Sequence, residues 1–288
     1  MRHRAEALAW RLPPLLVAAE RVAATVAPGV HGRRRTGQGE SFRQFRAYQP
    51  GDPTQRIDWR RSAQSPHVYI RETEWEAAQS VWLWRDASAS MEWASLPALP
   101  PKRQVAELLL LALASLLLRG GERAGLLGPS LPPAGGKAAL ERIASMLEPQ
   151  ILGHGGGAGL PPAETLPRHG RIVLFGDFLA PLDELRQAVL LFAAQGLQGH
   201  LLQILDPAEE TLPYHGRIRF EGVEDEASVL FGRAESIRGD YAAALARHRA
   251  GIEVIAGAAG WSFATHRTDK PPYTALLALY EALSIDAH

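Results

Sequence analysis

The chain reads as an α/β protein built on a doubly wound, mostly parallel sheet with helices on both faces. Three observations predict it. From about residue 80 onward, short apolar runs alternate with longer segments of helical periodicity, and that alternation calls for crossover helices that cover a parallel sheet. The runs Val81-Trp82-Leu83-Trp84 and Ile172-Val173-Leu174-Phe175 are apolar at consecutive positions, as strands covered on both faces are. Each of these strands is followed by an Asp, Asp86 and Asp177, at the carboxyl end where open sheets of this kind bind ligands.

The elements follow in order. Leu8, Leu12, Leu15, Leu16 and Ala19 have helical spacing interrupted by Pro13-Pro14, which predicts two short helices. A basic, Gly-containing stretch, His31 to Glu40, leads into short extended segments with turns at Pro50-Gly51-Asp52 and Ser65-Pro66. Strands are expected at His67 to Arg71 and Ser80 to Arg85. A helix from about Lys102 to Leu118 precedes a strand at Ala124 to Leu127 and a helix at Lys137 to Leu147. Further strands are expected at Arg171 to Phe175, Gly199 to Leu205 and Ser262 to His266. The helices between and after them cover Asp183 to Ala194, Ala234 toward Ile255, and Thr274 to Leu283. Arg217 to Phe220 and Ser228 to Phe231 read as a small hairpin. Residues 1–75 thus form an N-terminal extension of helices and short strands packed on the main domain, and residues 76–288 form that domain, with a small β insertion near 207–231.

Length and composition bound the function. A chain of 288 residues, 46% apolar and 22% charged, buries a full core. Its 31 basic and 31 acidic side chains balance, which argues against nucleic acid or an anionic membrane as partner. The absence of cysteine excludes disulfides, thiolate metal sites and cysteine nucleophiles, and fits the cytoplasm. Glu6, Arg11, Pro13, Pro14, Glu20 and Arg21 interrupt any apolar core in Met1 to Ala27, so no signal peptide is expected. The apolar run Leu108 to Leu118 is too short to span a bilayer and reads as a buried helix.

The chemistry-bearing cluster is Asp86-Ala87-Ser88-Ala89-Ser90, a carboxylate and two hydroxyls at alternate positions directly after a buried strand. Together with Asp177 at a second strand end, these side chains offer part of the oxygen-only shell that Mg²⁺ takes. The structural alternative is that Asp86 caps the following turn while Ser88 and Ser90 bond local backbone. The arrangement resembles the metal-ion-dependent adhesion site of von Willebrand factor A domains, whose signature is Asp-x-Ser-x-Ser. That resemblance implies Mg²⁺ at Asp86, Ser88, Ser90 and Asp177, with a coordination position left for an acidic group of a protein partner. Family members add a Thr from an intervening loop, whereas Leu152 to Gly159 carries no hydroxyl and Thr165 lies too far along.

A second signature precedes the sheet: Arg46-Ala47-Tyr48-Gln49-Pro50-Gly51-Asp52, then Arg56-Ile57-Asp58-Trp59. Arg46, Asp52, Arg56 and Asp58 flank a Pro-Gly-Asp turn at spacings that permit carboxylate–guanidinium pairs, and Trp59 is a candidate apolar anchor. With Asp-x-Ser-x-Ser some thirty residues on, this resembles the bacterial family catalogued as domain of unknown function fifty-eight, which is von Willebrand factor A-like. Leu205 to Glu210, Tyr214-His215-Gly216 and Thr268 to Pro272 extend the resemblance, which covers Gly32 to Leu283. Pro53 departs from it, standing where many members have a second Asp. The resemblance implies a non-enzymatic adaptor that works with a MoxR-type AAA ATPase and presents a client protein to it. It nominates Arg46, Asp52, Arg56 and Asp58 as partner contacts, beside their structural reading as ion pairs stitching the segment together.

Other signals are bland. Arg33-Arg34-Arg35 reads as a solvated face, Gly153 to Gly159 lacks the Gly-Lys-Ser/Thr ending of a phosphate loop, and the ten His show no zinc spacing. Two alternatives stand beside the Mg²⁺-assisted adaptor: a Mg²⁺-dependent hydrolase or phosphoryl-transfer enzyme acting around Asp86 or Asp177, and a metal-free interaction scaffold.

Overall fold

The computed structural model describes residues 14–27, 41–49, 54, 57–74, 78–129, 131–147, 159–222 and 228–285. The chain divides into two compact units, Arg34–Ala78 and the remainder.

In the larger unit a six-stranded sheet comprises β3 (Ser80–Arg85), β4 (Arg123–Leu126), β5 (Leu131–Ala134), β6 (Arg171–Gly176), β7 (Gln198–Leu205) and β10 (Ser262–Arg267). The order is β10-β7-β6-β3-β4-β5, parallel throughout except that β5 runs antiparallel to β4. Strand order reverses after β3, because the chain goes outward to β4 and β5 before crossing back to β6. Reversal of that kind opens a crevice at the carboxyl ends of the two strands where it happens.

One face of the sheet packs on α1 (Pro14–Val26), α3 (Lys102–Arg119), α4 (Lys137–Met146) and α8 (Pro272–Ile285), and the other on α5 (Leu182–Ala194) and α7 (Arg238–Ala258). Helix α3 is buried from Leu109 to Leu117 without a break, as a helix apolar all round must be. Helix α1, read from sequence as part of the N-terminal extension, puts Leu16, Ala19, Ala23 and Val26 into this same core. No helix among the described residues is long and apolar enough to cross a membrane.

The sequence reading missed β5, whose Leu-Pro-Pro-Ala lacks two ladder donors; proline is tolerated there because the strand lies at the edge. Gly125 makes its approach possible, since a Cβ there would lie 2.5 Å from Leu131 O. The insertion also begins later than expected. Pro207–Thr211 is a helix, α6, and only β8 (Ile218–Phe220) and β9 (Val229–Phe231) form the hairpin. Asp206 and Glu209 explain it by forming a capping box around Pro207.

The smaller unit holds β1 (Ser41–Ala47) paired antiparallel with β2 (Tyr69–Glu74), and a single-turn helix, α2 (Trp59–Ser62). Exposed Arg61 lies over two half-buried rings of this unit, its guanidinium 4.3 Å from the centre of the Phe45 ring and 5.5 Å from that of Tyr69. Trp59, expected as an apolar anchor, is 67% exposed. At the first position of a one-turn helix its side chain has no turn before it to cover.

Candidate functional site

Strands β3 and β6 lie side by side, with Arg85 opposite Phe175. The ladder continues one step further, as the Asp86 N–H donates to Phe175 O at 2.8 Å. Asp86 is fully buried. It lies so close to the backbone of β6 that a Cβ at Gly176 would come within 3.0 Å of its own Cβ. Glycine at that position is what lets the two strand ends meet.

From Asp86 the loop curls into a chain of hydrogen bonds. Asp86 Oδ1 accepts the Ser88 N–H at 2.8 Å, the Ser88 and Ser90 hydroxyls lie 3.0 Å apart, and the Ser90 hydroxyl donates to Asp177 Oδ2 at 2.7 Å. A hydroxyl has one proton, and that of Ser90 goes to Asp177, so Ser88 is the donor to Ser90. Asp177 is held in turn by Gln203 of β7, whose Nε2 donates to the Asp177 carbonyl at 2.8 Å. All four residues nominated as metal ligands, Asp86, Ser88, Ser90 and Asp177, therefore meet in one cluster. The local capping alternative for Asp86 is present in the same geometry.

The sequence reading missed the cation in this cluster. Lys102, first residue of α3, is fully buried, with its Nζ 2.8 Å from Asp177 Oδ2 and 2.5 Å from Glu209 Oε1. Burial by itself lowers the Lys102 pKa, but the charges of Asp177 and Glu209 outweigh it and hold the ammonium above the usual lysine value. Glu209 is fixed by its capping box: Oε2 accepts the Asp206 N–H at 2.8 Å. Asp206 reaches across the site, accepting the Ala208 N–H at 2.8 Å and the Ser95 N–H at 2.9 Å. A signal for Lys102 was present in the sequence. A lysine in the first turn opposes the helix dipole, so something nearby must hold it there.

A buried ion-pair chain secures the loop from below. Arg85 Nε lies 3.1 Å from Glu107 Oε1 on α3, Arg103 Nη1 lies 3.1 Å from the same oxygen, and Arg103 Nε pairs with Glu92 just past Ser90. The loop hydroxyl expected of a von Willebrand factor A metal site is absent at the described end of the intervening segment. Gly159 passes beside the cluster, where a Cβ would lie 3.6 Å from Asp86 Oδ2, and Thr165 is exposed. Residues 151–158 lie outside the described residues.

This donor set does not fit a resident Mg²⁺ as it stands. Mg²⁺ takes a near-octahedral oxygen shell, whereas Asp86 Oδ1 is engaged by a backbone N–H and Asp177 Oδ2 already binds both a hydroxyl proton and an ammonium. A dication there would sit against a like charge in a buried setting.

Of the residues nominated as partner contacts, Asp58 accepts the Arg61 N–H at 2.9 Å and caps α2. Arg46 lies on β1 in register with Ile70. Asp52 and Arg56 lie outside the described residues.

The family described as "Protein of unknown function DUF58" matches residues 44–251. The chain is 29% identical over 246 residues to Uncharacterized protein Rv1480 of Mycobacterium tuberculosis (strain ATCC 25618 / H37Rv), covering 81% of this chain and 76% of that protein. The same figures hold for Uncharacterized protein Mb1516 of Mycobacterium bovis. Among solved structures, the conserved hypothetical protein BatB from Bacteroides thetaiotaomicron aligns with a TM-score of 0.41 at 16% identity, over 73% of this chain and all but 1% of that one, 99%. An aerotolerance-related membrane protein from Bacteroides fragilis aligns with a TM-score of 0.39 at 14% identity, over 72% and 100%.

Proposed function

Given that the chain belongs to the DUF58 family of proteins of unknown function, we propose that it is a non-enzymatic, protein-binding adaptor of the von Willebrand factor A type. One observation carries the reading: the polar groups gathered at the carboxyl ends of β3 and β6 are engaged with one another. The Ser90 proton goes to Asp177, and Asp177 shares the Lys102 ammonium with Glu209. A nucleophile needs a base with acceptor capacity to spare. Here the carboxylate beside the serine already accepts the Ser90 hydroxyl proton and the Lys102 ammonium on one oxygen. Among the described residues Asp177 is thus occupied, which favours the adaptor over the hydrolase and phosphoryl-transfer alternative.

The proposed partner is a MoxR-type AAA ATPase, with a client protein presented to it in the cytoplasm. In this reading the loops at the carboxyl ends of the strands form the contact surface, and the buried cluster holds them in shape. The Mg²⁺-assisted version requires the Lys102 ammonium to leave Asp177, so the metal-free version is favoured.

Tagged chain purified from its host should bring down a MoxR-type ATPase with and without chelator. A purified ATPase of that type should then bind wild type but bind Asp86→Ala at least tenfold more weakly. No binding of that ATPase to the folded wild-type chain sinks the proposal. Phosphatase or nuclease turnover that disappears in Asp86→Ala would revive the enzyme reading.

A further inference from the structure

We infer that the Lys102 ammonium is the resident cation of this site, a covalently tethered replacement for the divalent metal that an Asp-x-Ser-x-Ser loop would otherwise hold. The inference concerns the site alone and does not rest on the adaptor reading.

Two independent observations lead to it. The first is where the ammonium sits. A buried charge persists only when paired and hydrogen-bonded, and Lys102 Nζ is paired twice, with Asp177 after β6 and Glu209 on α6. It thereby joins three elements, the start of α3 and the loops after β6 and β7, as a cation at strand ends does. Asp177 Oδ2 completes the link to Ser90, which brings the Asp-x-Ser-x-Ser loop under the same positive charge. Asp86 is supported separately, with its Oδ1 on the Ser88 N–H and its carbonyl accepting from Arg85 Nη1 at 3.2 Å.

The second observation is Gly159. The backbone there runs close enough to Asp86 and Ser88 for a side chain to touch both, at 3.6 Å and 3.9 Å from its first carbon. Glycine contributes no side-chain oxygen at this position beside the cluster. An ammonium needs fewer oxygens than an octahedral metal ion, having only three protons to place, and Asp177 and Glu209 already accept from it. A metal ion would need a further oxygen or a water in its stead. The same cluster thus provides a cation from within, and Gly159, where the described loop passes it, adds no side-chain ligand.

The consequence is a site whose shape is independent of free Mg²⁺. Its carboxylates stay together in chelator, and an acidic group on a partner has no open metal position to fill.

Mn²⁺ is the probe, followed by electron paramagnetic resonance and by thermal unfolding on the full chain. Wild type should leave millimolar Mn²⁺ free and keep its Tm in Mn²⁺, Mg²⁺ or chelator. Lys102→Met combined with Glu209→Gln, which removes one charge of each sign, should bind Mn²⁺ at least tenfold better than wild type and gain Tm on binding. Adding Gly159→Thr should tighten that binding further. Wild type that binds Mn²⁺, with the signal lost in Asp86→Asn, overturns the inference, as does a folded Lys102→Met/Glu209→Gln chain that takes no more Mn²⁺ than wild type. Should the Lys102 variants fail to fold, the wild-type measurement decides alone: free Mn²⁺ supports the inference and bound, Asp86-dependent Mn²⁺ overturns it. Loss or retention of ATPase binding affects neither outcome.

Discussion

Lys102 Nζ donates to Asp177 Oδ2 at 2.8 Å, tying the first turn of a helix to the end of a strand 75 residues away in sequence. The contact is fully buried on the lysine side.

Lys102→Ala leaves Asp177 and Glu209 facing each other without their cation. Breaking a buried pair in this way costs about 3–5 kcal/mol, so denaturant unfolding should show a large loss of stability. Asp177→Asn in the Lys102→Ala background should recover part of it. If the two losses simply add, the residues are not coupled.

The chain Arg85–Glu107–Arg103–Glu92 holds the Ser90 loop on α3. Glu107→Gln leaves Arg85 buried with a neutral partner and should cost about 3 kcal/mol. Glu92→Gln, at a half-exposed end, should cost no more than about 1 kcal/mol. Equal losses in the two variants would show that the chain is not a buried anchor.

Gly176→Ala places a methyl group within 3.0 Å of the Asp86 Cβ and should destabilise the fold by about 1–3 kcal/mol through overpacking. Gly257→Ala, in α7 with nothing within 4 Å of the new carbon, should raise stability by up to about 1 kcal/mol through helix propensity. Opposite signs in urea titrations are the expected result. A neutral Gly176→Ala would mean that Asp86 is not pressed against β6.

His266 is buried on β10, and burial depresses its pKa below the ordinary 6.5, with Asp269 opposing only in part. The unfolded chain therefore takes up a proton that folded His266 refuses. Stability is complete above pH 6.5 and declines as pH falls from there through the lower folded pKa, by at most about 1.4 kcal/mol per pH unit for one proton. His266→Leu should flatten that part of the Tm–pH curve. An unchanged curve would assign the proton uptake elsewhere.

The strands that build the sheet were legible because runs such as Val81–Trp84 and Ile172–Phe175 are apolar at every position yet too short for a buried helix, as strands covered on both faces are. Helix α3 was legible too, since its length and unbroken burial show in its composition. Edge strand β5 was not legible, since two prolines in four residues argue against a strand unless its outer side is known to be unpaired. Trp59 misled for the reverse reason. A large aromatic usually anchors, but at the head of a single-turn helix it stays exposed.

The sequence by itself determined the fold class, the two carboxylates at strand ends and the hydroxyls beside Asp86, because periodicity and local spacing encode all three. Tertiary structure decided that β6 lies directly beside β3, so that their two carboxylates meet, and that Lys102 and Glu209 enter the same cluster. Those contacts join residues about a hundred positions apart, Lys102 and Glu209 being separated by 107. Only the crossover that brings β6 back beside β3 and β7 on its far side puts an ammonium where the linear motif suggests a metal.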